Sequence, residues 1–189
     1  MTSIAPDAAL VAEVHRPRRL LLDRSIAACF GLACVLHVGL SAGGLLMGAV
    51  AVVLVELAAV DLERRILPNR IVLPAAVAVL ALRTVLDPSR YPEWILAAVG
   101  AAAFLFLPML VRRDAMGMGD VKLALLLGVA LGRTVAPALT LAFCAAGALA
   151  LLLVVSRGRS ALKQAIPLAP FLAGGAIVAI LLSPPGTLS

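Results

Sequence analysis

Residues 25–60 read SIAACFGLACVLHVGLSAGGLLMGAVAVVLVELAAV, a run broken only by Ser41-Ala42-Gly43-Gly44 and holding one acid, Glu56. A single helix of that length would extend about 54 Å, against a bilayer hydrocarbon core of about 30 Å. The run therefore reads as two membrane spans with a tight hairpin at Gly43-Gly44. Outward from it, further apolar runs cover Ile71 to Leu86, Trp94 to Val111, Val121 to Leu131, Val135 to Val155 and Pro167 to Leu182. The expectation is an all-α, polytopic transmembrane bundle of seven spans, the fifth of them short. Pro68, Pro88, Pro92, Gly117, Gly119, Gly132, Gly158 and Pro167 punctuate the junctions. Residues 1–24 are expected to be a polar tail, 25–183 the transmembrane domain and 184–189 a short tail. A signal peptide competes for the first run, but its charged lead is long and no stop-transfer logic requires cleavage.

Composition agrees with this reading. The 189 residues are 63% hydrophobic and 14% charged, with a mean hydropathy of +1.11, whereas soluble domains carry roughly 45–50% apolar and about 25% charged residues. A water-soluble globule is excluded, and so is disorder. The net charge of +6 comes from Lys and Arg in short clusters between the apolar runs, with one Trp and one Tyr. Topology explains that pattern better than nucleic-acid binding does. Cys29, Cys34 and Cys144 lie within apolar runs without a CxxC pair, so they read as packing residues rather than zinc ligands or disulfide partners.

With the amino terminus in the cytoplasm, thirteen of the sixteen basic residues fall on the inner side, leaving Arg83, Arg90 and Arg133 outside. The loops 61–70 and 112–120 then share the cytoplasmic face. The first holds Asp61, at the end of span two, and Pro68-Asn69, where Pro68 ends a helix and Asn69 suits the cap of the next. The second holds Gly117-Met118-Gly119-Asp120. Taken singly, Asp61 pairs naturally with Arg64 or Arg65, and Asp120 reads as an N-cap behind a glycine turn. Jointly, two carboxylates on one face of the membrane make the constellation of an aspartyl protease, in which an ionised acid takes a proton from water while a neutral one polarises the scissile carbonyl. Like charges a few Å apart keep both from ionising together. Helix dipoles favour a carboxylate at Asp120, at the start of span five, over Asp61, so Asp61 is the expected protonated acid. Gly119→Val is expected to be more damaging than Met118→Leu, because a β-branched residue resists positive φ and blocks close approach of a substrate.

Asp61 with Pro68-Asn69, the GxGD segment Gly117 to Asp120 with Val121-Lys122, and the stretch Ile166 to Gly175 resemble the type IV prepilin peptidases over roughly residues 43–183. The resemblance implies a catalytic pair, Asp61 and Asp120, supported by Gly117, Gly119, Lys122, Pro68 and Asn69. It implies cleavage of the leader peptide of prepilin or pseudopilin substrates, after a glycine, on the cytoplasmic side of the inner membrane, with no metal or organic cofactor. Longer members of that family carry a zinc-binding domain with two CxxC pairs between the first two spans, associated with N-methylation. The Gly-Gly hairpin here implies a short form without the methyltransferase.

A different class of function, a transporter or an assembly scaffold for a pilus or secretion system, would use the two acids for proton relay or helix contacts. Transporters show inverted repeats and midplane acids; this chain shows no repeat. Among the remaining polar residues, Glu56 reads as a hydrogen-bonded interhelical contact or as a contributor to the site, Lys122 as an inner-face anchor or an electrostatic partner, His37 as a packing residue and Asp114 as a solvated loop charge. The motifs fix no oligomeric state.

Overall fold

The computed structural model describes residues 16–64, 67, 69–111, 117–158 and 167–184, which carry seven α-helices and no strand. These are α1 (Arg16–Val38), α2 (Ala42–Arg64), α3 (Asn69–Leu86), α4 (Tyr91–Val111), α5 (Met118–Leu131), α6 (Val135–Arg157) and α7 (Ala169–Leu182). Short 3-10 turns, Pro88–Arg90 and Gly132–Thr134, precede α4 and α6. Pro68 and residues 112–116, Asp114 among them, lie outside the described residues, as does the side chain of Asn69, which opens α3.

Each of the seven apolar runs corresponds to a helix, yet three stretches are long and apolar enough to cross a bilayer by length and composition: Ala42–Glu63, Pro88–Leu110 and Met118–Arg157. The third, of 40 residues, would be about 60 Å long if straight. It folds back at Gly132, where φ is +56°, and so contains both α5 and α6. α7, with 14 residues, extends only about 21 Å, and α3 includes the charges of Arg70 and Arg83.

Two boundaries differ from the sequence reading. α1 begins at Arg16 rather than Ser25, so helix reaches into the expected polar tail. The first hairpin turns at Gly39–Ser41 instead of Gly43-Gly44. Gly39 adopts φ +105°, and its N–H donates to the Val35 carbonyl at 2.9 Å, closing α1. Ser41 Oγ then accepts the Gly44 N–H at 3.1 Å, the side-chain cap that starts α2. The glycine pair therefore lies in the first turn of a helix, where Gly44 makes room for the Gly39 carbonyl.

α5 is the central element. Nine of its residues are buried, among them Leu123, Ala124 and Leu127 with no exposed surface, as expected of a helix apolar on all sides. α4 packs closely along it because Gly128 has no Cβ to strike the backbone of Ala97 and Ala98. At one end of the bundle Arg83 is 3% exposed, donates to the Ala130 carbonyl at 2.7 Å and lies 5.5 Å from the Trp94 ring centre. Glu93 pairs there with Arg90 at 3.2 Å and Arg133 at 3.4 Å. Arg83, counted with Arg90 and Arg133 from the sequence, lies at their end of the bundle as a buried tie between α3, α4 and α5. His37, at the end of α1, contacts the Ser183 carbonyl at 3.0 Å, fastening the end of α7.

Candidate active site

The opposite end of the bundle holds the two aspartates. Asp61 lies in the last turn of α2 and is 6% exposed. Its Oδ2 accepts the Ala169 N–H at 3.3 Å, one of the free amides at the start of α7. Asp120 is half-buried in the first turn of α5. It is not the N-cap. Gly117 takes that place with φ −76° and ψ 139°, and the Asp120 N–H donates to the Gly117 carbonyl at 3.1 Å. Asp120 is thus the third helical residue, with its carboxylate turned back toward the backbone of Gly117. The two carboxylates, delivered by separate helices, are close enough for their charges to interact.

The role of Gly119 differs from the expected one. Its φ is not positive, because it lies inside α5. A Cβ built there would stand 2.9 Å from Leu67 Cβ and 3.2 Å from Leu67 Cδ1, closer than ordinary van der Waals contact. Leu67 is buried and belongs to the loop that follows Asp61. The missing side chain thus lets the segment after the first aspartate lie against the helix that carries the second.

Leu67 was not among the residues singled out from the sequence, and Ala169 entered there as a small residue suited to close helix packing within the stretch Ile166 to Gly175, not as a donor to Asp61. Leu67 had no distinguishing chemistry, and its contact is purely steric. Ala169 had one legible signal, Pro170, since proline prefers the first turn of a helix and marks a terminus with free amides. The Ala169 donor also removes the basis for placing the shared proton on Asp61: both acids now lie beside a helix amino terminus, so the dipole no longer separates them.

Of the other residues, Lys122 is half-buried on α5 two positions beyond Asp120, and on a helix such a pair points to nearly opposite sides. Glu56 is half-buried on α2. Among the described residues no group of three or more His, Cys, Asp or Glu side chains gathers at one place, and Cys29, Cys34 and Cys144 are unpaired thiols.

The chain is 32% identical over 161 residues to the prepilin leader peptidase/N-methyltransferase of Bacillus subtilis (strain 168), an overlap of 82% of this chain and 63% of that protein. It is 30% identical over 140 residues to the protein of the same name from Burkholderia pseudomallei (strain 1026b), covering 70% of this chain and 44% of the relative. The chain thus spans less than two thirds of the length of these relatives. No solved structure matches it. The type IV leader peptidase family matches residues 48–155, which include Asp61, Leu67, Gly117, Gly119 and Asp120, and this extent of agreement, together with two aspartates brought to one end of a helical membrane bundle, establishes that the chain belongs to that family.

Proposed function

We propose that this protein is a membrane-embedded aspartyl endopeptidase that removes the leader peptide of prepilins or pilin-like proteins at the cytoplasmic face of the inner membrane. The observation that carries the reading is the meeting of Asp61 and Asp120 from separate helices at one end of the bundle. Peptide hydrolysis by two carboxylates needs one base and one acid. The ionised aspartate takes a proton from water as its oxygen adds to the scissile carbonyl, and the protonated one donates to the carbonyl oxygen. Collapse of the tetrahedral intermediate breaks the C–N bond, and the nitrogen leaves with a proton from the pair. The Ala169 amide holds the Asp61 carboxylate in place through this cycle.

The orientation puts the acids inside and the Arg83–Glu93 end outside, with all seven helices crossing. Burial of Arg83 strengthens the charge argument, because the positive-inside rule concerns loop charges and only Arg90 and Arg133 then count at the outer end. The peptidase acts without a methyltransferase: α1 and α2 are joined by residues 39–41 alone, which leaves no inserted domain between them. Reconstitution of the full chain in lipid vesicles with a candidate prepilin, followed by sequencing of the product's amino terminus, tests the reading. A new terminus one residue beyond the leader glycine is expected. An uncut substrate, with the protein folded, would favour a transporter or scaffold instead.

A further inference from the structure

Between α2 and α3, with α5 as its floor, an apolar groove of about 190 Å³ opens among Ala49, Val53, Ala75, Ala78 and Leu126. Its depth relative to the acids follows from helix rise. Val53 precedes Asp61 on α2 by eight residues and Leu126 follows Asp120 on α5 by six, which places the near end of the groove about 12 Å and about 9 Å from the two carboxylates along antiparallel helices. Ala49, Val53 and Glu56 are spaced i, i+4, i+7 and form one stripe of α2. Glu56 therefore stands at the mouth nearer Asp61, about 7.5 Å from it along the axis, and helical geometry tilts its side chain back toward the groove. It makes no hydrogen bond or ion pair among the described residues. An acid at that depth is costly unless a cation or a proton meets it.

Resting on the endopeptidase reading, we propose that this groove seats the apolar segment following the scissile bond, and that Glu56 holds the α-ammonium group which hydrolysis leaves on that segment. The chemistry supplies the cation. Water adds its hydroxyl to the scissile carbon, the C–N bond breaks, and the proton lost by the new carboxyl completes an ammonium, because an α-amine titrates at about 7.7–8.0. The hydrophilic leader departs with the carboxylate. The apolar segment stays in the membrane and, no longer tethered, moves deeper into the bilayer, away from the acids, by between one and two helical turns, which brings its ammonium to Glu56. A lipid acyl chain also fits an apolar groove, but it has no cation to match the carboxylate.

The test uses the full chain in vesicles and two synthetic apolar peptides of about 20 residues, one with a free α-amine and one N-acetylated, each displacing a fluorescent copy of the free-amine peptide at pH 7. The free amine is expected to bind about tenfold more tightly, the scale of a charge-assisted contact. Glu56→Gln should abolish that difference, and Ala78→Phe should weaken both peptides about tenfold. Equal affinities in the unaltered protein overturn the inference, as does a preference that survives Glu56→Gln. Displacement untouched by Ala78→Phe leaves the groove to lipid and also overturns it. Prepilin cleavage is scored in the same vesicles. Cleavage with equal peptide affinities sinks the groove assignment alone, whereas a folded chain that cuts nothing removes the endopeptidase reading and this inference together.

Discussion

At the scale of single residues, the acid pair makes the sharpest demand. Asp61→Asn and Asp120→Asn are each expected to lower leader cleavage by about 10²–10⁴-fold, the usual contribution of a positioned acid or base. Asparagine keeps an oxygen acceptor for the Ala169 amide, so the folded protein should survive. Near-normal cleavage by either variant would refute the pairing, and Asp114→Asn, which touches neither acid's role, should cut at the normal rate. Gly119→Val forces a side chain into Leu67, at a cost of about 1–3 kcal/mol for overpacking, and displaces the loop after Asp61. At least a tenfold loss in cleavage rate is expected, against less than about twofold for Met118→Leu at an exposed position. Both aspartates were legible in the sequence because their spacing and setting are local properties of the chain. Leu67 was not, because nothing in a leucine announces the glycine it will press on 52 residues later.

Among the helices, α7 shows how unequally adjacent positions are constrained. A Cβ on Gly175 would run into the backbone of Ala138 and Ala142 on α6, whereas one on Gly174 would meet nothing within 4 Å. Gly174→Ala should therefore leave thermal stability unchanged or raise it by up to about 1 kcal/mol through helix propensity. Gly175→Ala should lower it by about 1–3 kcal/mol. It should also slow cleavage, since α7 cannot shift from α6 without drawing the Ala169 amide from Asp61. Paired melting curves and cleavage rates would separate these outcomes, and equal tolerance at the two positions would mean that α6 and α7 do not pack as described. The apolar runs predicted every helix among the described residues, but the first turn was placed at the wrong glycines. Composition marks where a chain can bend; which glycine takes positive φ depends on the neighbours each one meets.

For the molecule as a whole, labelling from either side of the membrane distinguishes the two possible orientations. Leu40, 85% exposed, precedes α2, and Leu62, 61% exposed, lies in its last turn; the helix between them rises about 30 Å, close to a bilayer core. In a background with Cys29, Cys34 and Cys144 replaced by alanine, an impermeant maleimide should label Leu40→Cys in intact spheroplasts and Leu62→Cys only after lysis. The reverse pattern would turn the protein over and move the acids outside. Charge counting grouped Arg83 with Arg90 and Arg133, at whose end of the bundle it lies, but sequence position alone does not distinguish a loop arginine from one folded under a tryptophan. One contact reaches furthest across the chain: Asp61 receives its amide from a residue 108 positions later. A ribosome that has already released both aspartates has yet to make the helix that steadies the first of them. During synthesis, the growing polypeptide thus carries both acids before the amide that Asp61 accepts exists, and that end of the bundle stays unfinished until α7 has been threaded into place.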